Sequence, residues 1–282
     1  MNFLKDILRG IMIGVANIIP GVSGGTMMVS MGIYDKLIGA ITNIFKQFVK
    51  SVKTLLPYVV GMGIGLVGLS FVIEYFFGSF PFQTAMLFIG LIFGGMPIML
   101  KKVRGKKADP IGYALFVLFF ALIIGMQLLG ENTEKVITLS VLEVIKLFAV
   151  GVVASATMVI PGVSGSMILM ALGYYSPILE TISGTVKALS PFDFATILHN
   201  IGIILPFGLG VLIGIYAVAK GIEYLLKKHE RKTYFAILGL VFASPFAVLM
   251  GIGVGTLTAG TVIVGLLTFA VGFAVAYYLG RE

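Results

Sequence analysis

Ile19-Pro20-Gly21-Val22-Ser23-Gly24 recurs as Ile160-Pro161-Gly162-Val163-Ser164-Gly165, 141 residues further on in a chain of 282. The match extends outward, with Gly10, Gly32, Tyr34 and Ile41 corresponding to Gly151, Gly173, Tyr175 and Ile182 at the same offset. A second block aligns without gaps at an offset of 149, from Leu56-Pro57 and Leu205-Pro206, through Ile73-Glu74-Tyr75 and Ile222-Glu223-Tyr224, to Leu100 and Leu249. That block holds 13 identities in 45 positions, where matched apolar composition alone would yield roughly four. The chain is therefore read as an internal duplication. The shift of offset from 141 to 149 places extra residues in the second copy, most simply within 183 to 200, where Pro191, Asp193 and His199 read as a loop.

Composition names the solvent in which the duplication folds. Hydrophobic residues make up 59% of the chain and charged residues 11%, against about 25% charge in a soluble domain. The apolar residues come in long runs, so helices rather than an alternating β-barrel satisfy the backbone in lipid. The absence of cysteine excludes a disulfide scaffold, a thiolate metal site and a cysteine nucleophile. Two histidines, with no Gly-x-x-x-x-Gly-Lys and no His-Glu-x-x-His, leave no nucleotide motor and no metallohydrolase. No enzyme activity, catalytic residue, metal or cofactor is expected. The net charge of +8 sits between the apolar runs, where it signals topology rather than nucleic acid. Residues 3 to 19 resemble a signal peptide but lack a small-x-small cleavage site, and are expected to stay attached.

These observations predict an all-α polytopic membrane protein of two inverted-topology repeats, each with a re-entrant helical hairpin plus three transmembrane helices. The first repeat, 1–130, has its hairpin at 3–45 and helices at 55–77, 82–100 and 111–129. The second, 140–282, has its hairpin at 142–182 and helices at 203–226, 233–251 and 256–279. Proline and glycine at the tips suit a chain that enters the membrane and turns back. Three crossings per half invert the second copy. Both termini then lie in the cytoplasm, and 16 of 20 basic residues face it, the exceptions being Lys36, Lys135, Lys146 and Lys187. Two ordinary crossings in place of each hairpin would give the same charge distribution, so the broken tips carry the argument for re-entry.

Inverted halves with broken helices are a transporter architecture, in which helix ends meet near the midplane. Both tips are expected to open a helix, with Ser23 or Thr26 and Ser164 or Ser166 as N-caps. Ser23, Gly24, Gly25 and Thr26 of one tip, with Ser164, Gly165 and Ser166 of the other, then offer hydroxyls and bare amides to an anion, phosphate above all. Close helix crossing at small residues is the alternative use of such glycines. The duplicated Glu74 and Glu223 are candidates for coupling or gating, the alternative being interfacial carboxylates at helix ends. Lys5 and Lys146 are read as snorkelling, Asp35 and Lys36 as local surface, and His199 and His229 as loop residues.

The duplicated Pro-Gly-Val-Ser-Gly tips, the Glu-Tyr pairs downstream and the overall length resemble the bacterial polyprenyl-phosphate transporter family, over essentially the whole chain. The resemblance implies a flippase that returns undecaprenyl phosphate from the outer to the cytoplasmic leaflet of the bacterial inner membrane, recycling the carrier lipid of cell-wall synthesis. It carries over to the tips alone, residues 20 to 26 and 161 to 166. The implied partner is a polyprenyl-phosphate lipid; a coupling ion, proton or sodium, is suggested instead by Glu74 and Glu223, and no nucleic acid is expected. An ion-coupled transporter or channel for a small soluble anion would use the same helix ends and remains the competing reading.

Overall fold

In the computed structural model, which describes residues 3–18, 23–104, 109–128, 135–190, 192–252 and 257–280, every regular element is a helix. The loops expected around 105–107, 130–134 and 253–256 lie outside the described residues, as does Arg281. The segment expected to form the first hairpin holds α1 (Phe3–Ile18), α2 (Gly24–Ser30) and α3 (Tyr34–Thr42), and the segment expected to form the second holds α8 (Val141–Val159), α9 (Gly165–Leu172) and the start of α10 (Tyr175–Leu189). In both, the second and third helices are joined through a glycine in the left-handed region, Gly32 at φ +68° and Gly173 at φ +76°. A side chain is strained at either place, which accounts for the identity of the two positions across the repeat.

The expected helix 55–77 is broken. Helix α4 (Phe48–Gly63) runs into a π-helical turn at Ile64–Gly68, and α5 (Ser70–Ser79) follows. Gly63, Gly65 and Gly68 weaken the backbone there. The second copy has Leu212, Gly214 and Ala217 at the matching positions and stays helical. Helices α6 (Pro81–Val103) and α7 (Pro110–Leu128) follow the expected spans closely, as does α12 (Ala259–Gly280).

The helices expected at 203–226 and 233–251 are the two arms of α11 (Phe194–Gly251), which meet at a kink where His229 leaves helical geometry, at φ −136° and ψ 43°. One expectation is corrected here: the loop expected before α11 is shorter than read. Asp193 caps α11, accepting from the Thr196 N–H at 3.2 Å and its hydroxyl at 2.6 Å, so His199 is helical. Among the described residues six helical stretches are long and apolar enough to cross a membrane: 48–68, α6, α7, α8, α11 and α12. Helix α8, read from sequence as a hairpin limb, is therefore itself of spanning length.

Helix pairing follows the glycines. Helix α1 packs on α4 with Gly61 against the Ile7 carbonyl, and α8 packs on the first arm of α11 with Gly210 against the Phe148 carbonyl. A Cβ at either glycine would fall on that oxygen. These pairs differ by the two sequence offsets, 141 for the carbonyls and 149 for the glycines. Helix α6 packs on α12 with Gly90 against the Phe269 carbonyl, while the second arm of α11 packs on α7 with Gly239 against the Phe116 carbonyl. The short helices α2 and α3 lie inside, in a core that includes Met27, Ile33, Ile38, Phe88 and Ile92. Large apolar side chains such as Val117, Leu118, Leu212, Leu266 and Leu267 are exposed on α7, α11 and α12. This is the surface of a multi-pass membrane protein.

Candidate functional site

Ser23 and Ser164 occupy the N-cap positions of α2 and α9. Residues 19–22 of the first tip lie outside the described residues. Ser23 caps as expected, its Oγ accepting from the Thr26 N–H at 3.2 Å, while the Gly24 N–H donates to Asn17 Oδ1 at 3.0 Å. The hydroxyls of Ser23 and Thr26, 3.1 Å apart, also receive the Gly162 N–H of the second tip, at 3.0 and 2.8 Å respectively. Gly162 has φ +83° and lies against the Leu240 backbone, so no side chain is accommodated there. Gly25 faces the Pro161 backbone, and the Tyr34 hydroxyl donates to the Val159 carbonyl at 2.9 Å. The first tip thus clamps the second.

The N-terminus of α9 is built differently. Ser164 makes no capping bond, its hydroxyl lying 2.9 Å from that of Ser166. The first amides of a helix have no acceptor within it. This end borders a cavity of about 340 Å3, lined by Asn17, Ser23, Ser155, Thr157, Ser164, Gly165 and Ser166, with Leu66, Phe207 and Val211 among its apolar walls. Leu66 reaches it from the π-helical turn. No charged side chain is among the described residues that line it. A second chamber of about 150 Å3 shares Asn17 and Met158 with the first and is otherwise walled by Gly24, Met28, Leu55, Met62, Ile215 and similar residues. An uncharged chamber that is mostly apolar but carries several hydroxyls and the α9 N-terminus adjoins one that is apolar almost throughout, which suits an anionic head joined to an apolar chain.

Comparison with known proteins agrees with that chemistry. A family model described as undecaprenyl phosphate translocase-like matches residues 13–261. The chain belongs to this family. It is 34% identical to a polyprenyl-phosphate transporter of Staphylococcus aureus, over 98% of this chain and 95% of the relative. It is 28% identical to a polyprenyl-phosphate transporter of Vibrio cholerae, over 86% of this chain and 77% of the relative. No solved structure matches.

In this translocase-like chain the seven tip residues separate into three groups. Ser23, Ser164, Gly165 and Ser166 border the tip cavity, Gly24 borders the second chamber, and Gly25 and Thr26 are buried between the tips. Asn17, Ser155 and Thr157 are additional cavity residues. Each is a polar side chain in the last turns before a tip, a position where the sequence already offers a signal. Glu74 is exposed on α5, whereas Glu223 on α11 is ion-paired with Lys220 at 3.1 Å and Lys227 at 2.7 Å. Neither carboxylate borders the cavity.

The most buried carboxylate among the described residues is one the tip motifs do not point to. Asp6, 3% exposed, accepts from Arg9 at 3.2 Å, Lys36 at 3.2 Å and the Tyr58 hydroxyl at 2.6 Å. Arg9 also donates to the Leu279 carbonyl at the end of α12, through Nη2 at 2.6 Å and Nε at 3.2 Å. This network ties α1, α3, α4 and α12 together. Lys36, read from sequence as surface, is one of its members. Asp35 likewise accepts from the Tyr234 hydroxyl at 2.9 and 2.8 Å, joining α3 to the second arm of α11.

Proposed function

We propose that this protein is a flippase that carries undecaprenyl phosphate from the outer to the cytoplasmic leaflet of a bacterial inner membrane, for reuse in cell-wall synthesis. The observation that carries the proposal is the pairing of the uncapped α9 N-terminus with an adjoining apolar chamber. In this reading the phosphate meets the amides and hydroxyls of Ser164, Gly165 and Ser166, with Asn17 and Ser23 opposite, while the first isoprene units occupy the space beside Gly24, Met28 and Met62. Gly25 and Thr26 contribute by holding the second tip in place. A site without basic side chains binds an anion through oriented dipoles alone, and weak binding favours release on either side.

The halves 1–130 and 140–282 are taken as inverted repeats with re-entrant hairpins and cytoplasmic termini. The recurrent Gly61–Ile7 and Gly210–Phe148 contacts support the duplication. The exchange of partners at Gly90–Phe269 and Gly239–Phe116, each joining one half to the other, supports a two-fold relation between halves. Glu74 or Glu223 is proposed to couple transport to protons or sodium. Transport without covalent chemistry is the whole activity in this reading.

The test is a reconstituted, leaflet-resolved assay with labelled undecaprenyl phosphate in proteoliposomes, run beside uptake of labelled inorganic phosphate. Movement of the lipid without uptake of the soluble anion is expected. Uptake of inorganic phosphate with no lipid movement would replace the flippase by a transporter or channel for small anions.

A further inference from the structure

The apolar chamber beside the tip cavity has a polar end of its own. Asn17 and Gly24 border it toward the tips, and Tyr58 borders it toward the buried Asp6 network. Asn17 and Asp6 are eleven residues apart on α1, so the two ends are separated by about 16 Å along that helix. The Tyr58 hydroxyl donates to Asp6 Oδ1 at 2.6 Å and accepts from Lys36 Nζ at 3.0 Å. The same ammonium lies 5.2 Å from the centre of the Tyr58 ring. In the orientation taken above this is the cytoplasmic end of the chamber. Asp6 is in the first turn of α1, Arg9 reaches the last turn of α12 through the Leu279 carbonyl, and Asp35, beside Lys36, pairs at 3.3 Å with Lys102 in the last turn of α6.

Within the network Lys36 is the member placed to change partners. Its side chain is 34% exposed, whereas those of Asp6 and Arg9 are buried. An ammonium has three donors, and among the described residues Lys36 uses two, on Asp6 and on the Tyr58 oxygen. Rotation about its four-carbon stem takes the ammonium off Asp6 without moving α3. Asp6 then keeps Arg9 at 3.2 Å and the Tyr58 hydroxyl, so its charge stays compensated. Arg9 is fixed by its two bonds to Leu279, and Asp35 is held by Tyr234 and Lys102. A ligand that takes Lys36 from a carboxylate must carry at least as much charge, and a phosphate monoester carries about −1.5 to −2 at neutral pH. The chamber walled by Tyr58 accepts an apolar chain attached to it.

We propose that Lys36 is a second station for the head of the transported polyprenyl phosphate, which displaces Asp6 from the ammonium while the first isoprene units stay in the apolar chamber. This assignment rests on the flippase reading. The tips hold the head by neutral donors and Lys36 holds it by charge, at opposite ends of one chamber. A head that passes from the tips to Lys36 reverses its direction relative to a chain that stays in place, and that reversal is what movement between leaflets requires. The test compares binding of undecaprenyl phosphate with that of undecaprenol, which has the same chain and no phosphate, to purified monodisperse protein. In the Gly165→Val background, where the tip site is narrowed, Lys36→Gln should cut the remaining affinity for the phosphate about tenfold, the scale of one charge-assisted contact, and leave undecaprenol unchanged. Asp6→Asn keeps the shape of the side chain and removes the competing charge. It should raise affinity for the phosphate, and the rise should vanish when Lys36→Gln is added. A pair that serves only to hold the fold predicts no such rise. Should Asp6→Asn fail to fold, Lys36→Cys in this cysteine-free chain replaces it. Aminoethyl methanethiosulfonate, which restores an ammonium, should then recover affinity for the phosphate alone, and the sulfonatoethyl reagent should lower it. Phosphate affinity untouched by Lys36→Gln, an equal loss for undecaprenol, a fall in Asp6→Asn, or competition by inorganic phosphate at equal concentration would each overturn the proposal. The flippase reading is judged separately, by lipid movement in the wild-type chain, which would stand if Lys36 proved silent.

Discussion

Gly165 and Ser164 separate backbone from side-chain contributions at the tip. A Cβ on Gly165 would sit 2.9 Å from Thr157 Oγ1, and the branches of valine would extend into the cavity beside the α9 amides. Ser164→Ala removes one hydroxyl, worth roughly 1.5–3 kcal/mol to a charged ligand, or about tenfold or more in affinity. Gly165→Val should lose more than Ser164→Ala in binding of undecaprenyl phosphate to purified protein. Wild-type affinity in the glycine variant would move the phosphate away from α9. Asp6 allows a test of stability at the same scale. With its side chain buried, Asp6→Ala leaves Arg9 and Lys36 without their shared carboxylate, at a cost of about 3–5 kcal/mol. Asp6→Leu with Arg9→Met should recover part of this in detergent unfolding, because the buried charges go together. A double variant no more stable than Asp6→Ala would argue that the Arg9 bonds to Leu279, rather than charge pairing, hold α1 in place.

Between elements, close approach of helix backbones decides which pairs form. Gly210 has the Phe148 carbonyl where its Cβ would lie, whereas nothing stands within 4 Å of a Cβ on Gly208. Gly210→Ala should therefore force α8 away from α11, with an overpacking cost of about 1–3 kcal/mol, and Gly208→Ala should be neutral or slightly stabilising through helix propensity. Thermal unfolding of the two variants, two residues apart on one helix, checks this directly. Equal midpoints would mean that the pair relaxes freely. The π-helical turn is another decision made at this level. It brings Leu66 to the tip cavity, whereas Leu212 and Ala217 keep the corresponding stretch of α11 helical.

For the whole molecule, sidedness and coupling remain to be measured on the intact chain. Single cysteines at Ser79, which ends α5 just before α6, and at Lys101, in the last turn of α6, both exposed, should be labelled from outside and inside respectively, in a chain with no cysteine of its own. Labelling of position 101 from outside would reverse the orientation assigned from basic residues. Glu74→Gln and Glu223→Gln should each be tested for the pH and sodium dependence of lipid movement. A change in either variant supports coupling. Unchanged dependence in both would return Glu223 to its lysine pairs and Glu74 to the membrane surface.

The sequence by itself determined the class and the recurrence of the tip motif, because hydropathy and a repeated motif are local properties of the chain. The spans of α6, α7 and α12 were legible for that reason, while the N-cap of the first tip was narrowed only to Ser23 or Thr26. Only the tertiary structure decided what the tips do to one another. The bond from Gly162 to Ser23 and Thr26 joins residues more than 130 positions apart, and it makes one tip a clamp while leaving the other facing a cavity. The same holds for Asp6, whose partners Lys36 and Tyr58 come from separate helices. A charged residue in an apolar run is visible in sequence. Its partner is chosen by packing, since helix faces within the fold, not spacing along the chain, bring opposite charges within reach.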